Sequence, residues 1–216
     1  MDVTWLGHAC FRLRGREAAL ITDPYSRSLG LNPARQSAEI VTVSHESPNH
    51  SAVETVAGGP RILRGPGEYE VSGVMIRGVA TLGERSASGQ AERNTAYAIE
   101  MDELLVCHLG DLGRTLNPEQ IETLKDPDVL LVPVGGECTI SPAEAAEVVS
   151  QLEPKLVIPM HYALPGIKVK LEPVERFCRE MGIEEVRSQP RLSVSRGSLP
   201  DETTVLILES AAAKGR

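Results

Sequence analysis

Short apolar runs separated by turn residues constrain this chain most. Val3–Leu6, Ala9–Leu13, Ala18–Thr22 and Ile40–Val43 come first, and Leu104–Cys107, Val129–Val134 and Leu156–Met160 follow. Each is bounded by glycine, proline or charge, which reads as a set of strands. The unbroken apolar character of Ile40–Val43 marks a strand buried on both faces. Tyr69–Val79 alternates well enough for two strands with a turn at Ser72-Gly73, while residues 26–38 and 83–94 read as loops, the latter as an exposed loop or hairpin.

The second half changes rhythm. Asn117-Pro118-Glu119-Gln120 supplies an N-cap, a proline at the first helical position and a glutamine to close a capping box, and Ser141-Pro142-Ala143-Glu144 repeats the logic. A further helix is expected near Pro173–Met181 and a last strand near Thr204–Leu208. No linker-like stretch separates the halves, so residues 1–210 read as one domain of mixed α and β layers, and 211–216 as a frayed tail.

With 216 residues the chain is long enough to bury a core without disulfide staples. Its net charge of -8 argues against a broad basic surface for nucleic acid or an anionic membrane. Aromatics at 3% leave little for base stacking. Cys10, Cys107, Cys138 and Cys178 form no Cys-x-x-Cys pair, and no signal peptide or membrane-length apolar run is visible. Buried thiols in a cytoplasmic protein are the plain expectation.

The histidines carry the chemical signal. Of five, His8, His45, His108 and His161 sit at or just past the end of an apolar run, and His50 lies in the loop after one. Strand ends converge on rims, and rims are where sites are built. Asp23 and Asp111 add carboxylates just past strands, Asp111 in the tight turn His108-Leu109-Gly110-Asp111. Imidazole with carboxylate suits Zn²⁺, Mn²⁺ or Fe²⁺, with one position left for water. The stretch Ser44-His45-Glu46-Ser47-Pro48-Asn49-His50 is by itself open to three readings: a metal site, part of one, or a polar loop.

The segments WLGHACFRL, ALITDPY, IVTVSHESPNH, GPGEYEVSGVMIRGV, VCHLGDLG, LLVPVGGECTISPAEAAEVV and LVIPMHY occur in this order. Together they resemble the metallo-β-lactamase superfamily, and within it the small bacterial metal-dependent hydrolase branch that includes ascorbate-6-phosphate lactonase-like proteins. The resemblance implies an αββα sandwich, with two mixed sheets face to face, helices on the outer faces and metals at one rim.

The family motif His-x-His-x-Asp-His is matched here only at its ends. His45 and His50 are kept, while Ser47 and Asn49 replace the middle histidine and the aspartate. A third family histidine falls near Gly83. By that resemblance the first metal position keeps only His45. The second keeps His50, Asp111 and His161, with Asn49 able to offer a neutral carbonyl oxygen. At most one ion is implied, Zn²⁺ with Mn²⁺ or Fe²⁺ as alternatives, or none.

Glu46 or Glu84 is a candidate substitute carboxylate. His108 is read as orienting Asp111. Tyr162 is read either as facing the cleft to hydrogen-bond an oxyanion or as rim packing, and Asn49, Asp111 and Tyr162 are the candidate catalytic residues. His8 resembles a position near the cleft and carries no ligand assignment. The resemblance implies a hydrolase acting on a small lactone, ester or phosphodiester through one metal-bound water. The missing ligands point instead to a non-catalytic relative used for binding or scaffolding, and a nuclease-like member acting on a short RNA or cyclic nucleotide is a weaker third reading.

Overall fold

A computed structural model of the chain describes residues 1–33, 35–85 and 91–212, with the side chains of residues 84, 85 and 91 set aside. Among the described residues two large sheets dominate. The first runs Leu192–Ser193, Asp2–Gly7, Cys10–Arg14, Ala19–Thr22, Ile40–Val43 and Arg61–Arg64. The second runs Thr204–Val205, Leu156–Met160, Val129–Pro133, Leu104–His108, Ala91–Met101, Val74–Arg85 and Gly67–Val71. Both are mixed. Ala19–Thr22, Ile40–Val43 and Arg61–Arg64 pair in parallel, as do Leu104–His108, Val129–Pro133 and Leu156–Met160. The rest of each large sheet is antiparallel, apart from Thr204–Val205, which pairs in parallel with Leu156–Met160.

The central parallel strands are buried along their whole length, as expected of strands covered on both faces. Trp5, Phe11, Leu20, Ile99, Val132 and Ile158 contribute to one apolar core. Helices α1 (Pro118–Leu124), α2 (Pro142–Leu152) and α3 (Val174–Glu180) follow in the second half. Both capping boxes form as the sequence implies: Asn117 with Gln120, and Ser141 with Glu144. The metallo-β-lactamase αββα sandwich is thus the fold.

Two local expectations need refining. Residues 83–94 belong to a hairpin, one of the two readings of the sequence: strands reach Arg85 and restart at Ala91, paired antiparallel, but Gly83 and Asn94 are buried rather than exposed. The tip at 86–90 lies outside the described residues, as does the end of the expected frayed tail from 213 on. The last strand is two short pieces, Thr204–Val205 in the large sheet and Ile207–Leu208 against Ser188–Gln189. Among the described residues no helix is long and apolar enough to cross a membrane.

A candidate metal centre at the strand ends

Each strand leading to the rim ends in a polar residue. Asp2–Gly7 leads to His8, Ala19–Thr22 to Asp23, Ile40–Val43 to Ser44 and His45, Leu104–His108 to Asp111, and Leu156–Met160 to His161. The carboxyl ends of strands are where α/β folds build sites. Three of these residues have left-handed backbones although none is glycine: φ is 54° at His8, 38° at Asp23 and 54° at His161. All three are buried, so ordinary surface turns do not account for them. Such conformations cost about 1–3 kcal/mol each and cluster at sites.

The rings and carboxylates form one cluster. His161 Nε2 lies 3.0 Å from Asp111 Oδ1, His45 Nε2 lies 3.6 Å from Asp111 Oδ2, and His50 Nε2 lies 3.9 Å from Asp111 Oδ1. The His8 ring centroid is 3.9 Å from that of His161 and 4.8 Å from that of His50. Three overlapping triads each bring their donor atoms within 4.8 Å of one another: His8/His50/His161, His45/His50/Asp111 and Asp111/Cys138/His161. They line a cleft of about 360 Å³ together with Ser47, Asn49 and Glu92. His45, Glu46 and Glu92 also line a neighbouring groove of about 790 Å³ walled by Val43, Pro66, Leu82, Arg64 and Arg93.

Asp23 orients the cluster from below. It is fully buried and accepts from Ser44 N at 2.7 Å and Ser44 Oγ at 2.5 Å, with His50 Nδ1 at 2.8 Å. A proton held on Nδ1 by Asp23 leaves Nε2 with its lone pair toward the cleft, the usual support for a metal-binding imidazole. Asn94 does the same for the Asp111 turn. Its Oδ1 accepts from Asp111 N at 3.0 Å, while its Nδ2 donates to Thr81 Oγ1 at 2.7 Å and Leu109 O at 2.9 Å.

His108 does not orient Asp111, contrary to the sequence reading. Its Nε2 lies 2.9 Å from the Ala9 carbonyl, so it ties the two sheets together. Tyr162 also departs from its cleft-facing reading. Its ring packs 4.9 Å from Trp5 within the core, outside the residues lining the cleft, and burial pushes its phenol pKa far up. Glu46 faces the cleft, but its carboxylate is 2.6 Å from Arg64 Nε. The side chain of Glu84 lies outside the described residues.

Electrostatics follow from burial and crowding. Burial, then the neighbouring His161, His50 and His45, holds His8 well below the ordinary imidazole value of 6.5. Burial and His50 also lower His45, against the pull of Asp111. His108 is lowered by burial, against Asp23 and the Ala9 carbonyl. For His50 the burial effect is outweighed by the Asp23 bond and the charges of Asp111 and Asp23, so it is raised. Burial would raise Asp23 and Asp111. Bonds from His50 and from His161 respectively, with the surrounding imidazoles, outweigh it, and both carboxyls sit below their usual range.

These shifts set a pH dependence for the metal-free protein. His8, His45 and His108 contribute stability above the unfolded value of about 6.5, and that contribution is lost as pH falls below it. The depressed Asp23 and Asp111 contribute above the unfolded carboxylate value of about 4 and lose it as pH falls toward their folded values. His50 runs the other way, contributing below about 6.5 and losing it as pH rises through its raised folded value. Between about pH 7 and pH 4 the three lowered imidazoles oppose one raised imidazole, and the carboxylates add to the loss only below about pH 4. With chelator and at fixed ionic strength, the urea midpoint is therefore expected to fall between about pH 7 and pH 4. A midpoint that rises on acidification would contradict these environments.

The donor atoms fit a metal ion. Both ring nitrogens of His8, Nδ1 of His161 and Oδ1 of Asp111 are buried without a well-aligned hydrogen-bond partner among the described residues. Asp111 Oδ1 is approached to 3.0 Å by His161 Nε2. Unmet buried polar atoms cost about 1–3 kcal/mol each, and an ion taking one donor atom from each residue removes part of that penalty.

Residues 2–161 match the beta-lactamase superfamily domain. The chain belongs to that family. Within the superfamily it groups with UPF0173 metal-dependent hydrolases. The Methanoculleus marisnigri member is 32% identical, with 82% of this chain and 88% of that protein covered. The crystal structure of a Thermotoga maritima protein, assigned as a Zn-dependent hydrolase of the metallo-β-lactamase superfamily, superposes with a TM-score of 0.80 at 37% identity, covering 97% of this chain and 98% of that one. CmlA, a diiron β-hydroxylase from Streptomyces venezuelae, shares the fold at 16% identity with a TM-score of 0.60, covering 90% of this chain and 54% of that one. Fold alone therefore does not assign the chemistry of a superfamily member.

Of the residues singled out from sequence, His45, Asn49, His50, Asp111 and His161 all line the cleft. His8 joins them without having been assigned. Asp23, Asn94 and Cys138 are the supporting residues that motif reasoning left unassigned. Asp23 alone had a usable signal, a carboxylate just past a strand.

Proposed function

We propose that the protein is a metal-dependent hydrolase with one ion held by His50, Asp111 and His161, with His8 beside them, acting on a small lactone, ester or phosphodiester. The observation that carries this reading is the convergence of His8, His50, Asp111 and His161 at the strand ends, where both ring nitrogens of His8 and Nδ1 of His161 are buried without a hydrogen-bond partner among the described residues. Imidazole and carboxylate donors suit Zn²⁺ first, with Mn²⁺ and Fe²⁺ as alternatives. Such an ion supplies Lewis acidity toward a carbonyl or phosphoryl oxygen and makes water a stronger nucleophile at neutral pH.

The chain's own residues do the rest. Asp23 fixes His50 through Nδ1, and Asn94 fixes the Asp111 backbone. Asp111 stays ionised down to low pH, so it can hold a cation or accept a hydrogen bond throughout the neutral range. Asn49 lines the cleft, and in this reading its side-chain amide donates to a developing oxyanion. It cannot act as a base. The neighbouring groove, apolar along Val43, Pro66 and Leu82, receives the remainder of the substrate. The test is metal content per chain on tag-free protein, before and after incubation with Zn²⁺ or Mn²⁺, followed by a chelator-controlled screen of lactones, esters and phosphodiesters. No metal under either condition would sink the reading.

A second reading, a non-catalytic relative, is favoured by Ser47 and Asn49. Both line the cleft where the family motif carries histidine and aspartate. Gly83 is consistent with the third missing position, because a β-carbon there would lie 3.2 Å from the Asp111 carbonyl. The triple variant Ser47→His, Asn49→Asp, Gly83→His is expected to bind one more equivalent of Zn²⁺ than the parent. The double variant without the Gly83 change is the control for crowding at that carbonyl. A folded triple variant with unchanged stoichiometry would show that these positions are not ligand positions.

A further inference from the structure

Resting on the metal reading above, we propose that Cys138 supplies a thiolate ligand to the same centre and makes it selective for Zn²⁺ over Mn²⁺ and Mg²⁺. Cys138 follows the strand Val129–Pro133 in a turn that leads back to the rim. Gly136 and Glu137 have φ of 57° and 56°, and Thr139 N donates to the Gly136 carbonyl at 3.0 Å. On one side Glu137 Oε1 lies 2.8 Å from Lys170 Nζ. On the other, Ile140 N donates to the Leu112 carbonyl at 2.8 Å, immediately after Asp111. The loop is thereby fixed against the Asp111 turn.

This placement brings Cys138 Sγ, an Asp111 oxygen and a His161 nitrogen within 4.8 Å of one another. With Zn–S near 2.3 Å and Zn–N or Zn–O near 2.0–2.2 Å, donors on one ion lie at most about 4.5 Å apart. The bound on the triad is close to that limit.

A second observation points to the same side of the cleft. His8 is 1% exposed, and both its ring nitrogens lack a partner among the described residues. Its donor atom lies within 4.8 Å of those of His50 and His161. The positions where the family motif is broken, Ser47 and Asn49, belong to the loop that carries His45. The donors that the motif does not include, His8 and Cys138, group with His161 instead. His161 is thus the donor shared by the group that holds His8 and the group that holds Cys138. A soft thiolate favours Zn²⁺ over Mn²⁺ or Mg²⁺. On binding, the thiol loses its proton to solvent and the sulfur donates a lone pair to the ion, with no redox change.

Cobalt substitution of the full-length protein tests this without reference to activity. Co²⁺ bound through Cys138 should give a thiolate-to-cobalt charge-transfer band in the near ultraviolet. The band should vanish in Cys138→Ser and in Cys138→Asp, the second variant keeping an anionic side chain. The Zn²⁺-over-Mn²⁺ preference of Cys138→Ser should drop at least about tenfold, since losing even an outer partner costs that much. Co²⁺ bound with no such band in the wild-type protein would overturn the cysteine ligand and leave the proposed function standing. A band that persists in both variants would overturn it equally. Failure of Co²⁺ and Zn²⁺ to bind at all would remove both readings together.

Discussion

Replacing His161 with alanine is expected to abolish stoichiometric metal binding. His161 belongs to two of the three donor triads, makes the shortest approach to Asp111 in the cluster, at 3.0 Å, and packs its ring 3.9 Å from that of His8. Without it the His45/His50/Asp111 triad remains, while the two triads that bring in His8 and Cys138 each lose a donor. Affinity should fall more than about 100-fold, beyond the cost of losing an outer partner. Elemental analysis after dialysis should show about one equivalent per wild-type chain and close to none in His161→Ala, as expected for loss of a ligand at a site with few donors. A second readout is thermal. Metal at about 100 times its Kd stabilises the native state by about 2.7 kcal/mol, so Zn²⁺ should raise the wild-type melting temperature and leave the variant unmoved. Full metal retention in His161→Ala would place the ion elsewhere.

The second large effect is expected at Gly110, one residue before Asp111. Its φ is +60°, and a β-carbon there would overlap Ser44 Cβ and lie 2.6 Å from Asn94 Oδ1. Gly110→Ala therefore combines a left-handed backbone cost of about 1–2 kcal/mol with an overlap cost of about 1–3 kcal/mol. It also pushes directly on the Asn94 oxygen that accepts from Asp111 N, so the carboxylate should shift and metal affinity should fall with stability. Gly59→Ala is the matched control. Gly59 has φ +63°, but nothing lies within 4 Å of where its β-carbon would sit, so it carries the backbone cost alone. Urea denaturation of both variants separates the two contributions. Equal losses within about 0.5 kcal/mol, the range of ordinary surface changes, would show that the Asp111 turn tolerates the added methyl group.

The helix starts at Asn117 and Ser141 were legible because a capping box is satisfied within four residues and needs no distant partner. The buried strands were legible because an unbroken apolar run can be accommodated only inside a sheet covered on both faces. His45, His50, Asp111 and His161 were legible as rim residues because each follows such a run. The 83–94 stretch was legible as a hairpin but not as partly buried, because its polar composition reads as exposed, whereas Asn94 is buried by partners on Thr81, Leu109 and Asp111.

The amino-acid sequence by itself determined the strands, the capped helices and the rim on which the polar residues gather, because those follow from burial and hydrogen bonding over a few neighbouring residues. Only the tertiary structure decided which of those residues meet. It turned His8 into the cleft and Tyr162 into the core, where the chain leaves two strands through left-handed backbones at His8 and His161. It set Asp23 beneath His50, gave His108 to the Ala9 carbonyl of the opposite sheet, and carried Cys138 back to Asp111 on a loop anchored at Leu112 and Lys170. Each of these is a contact between segments far apart in the chain, selected by the packing of two sheets against each other, and no local pattern of residues encodes which partner a buried side chain will find there.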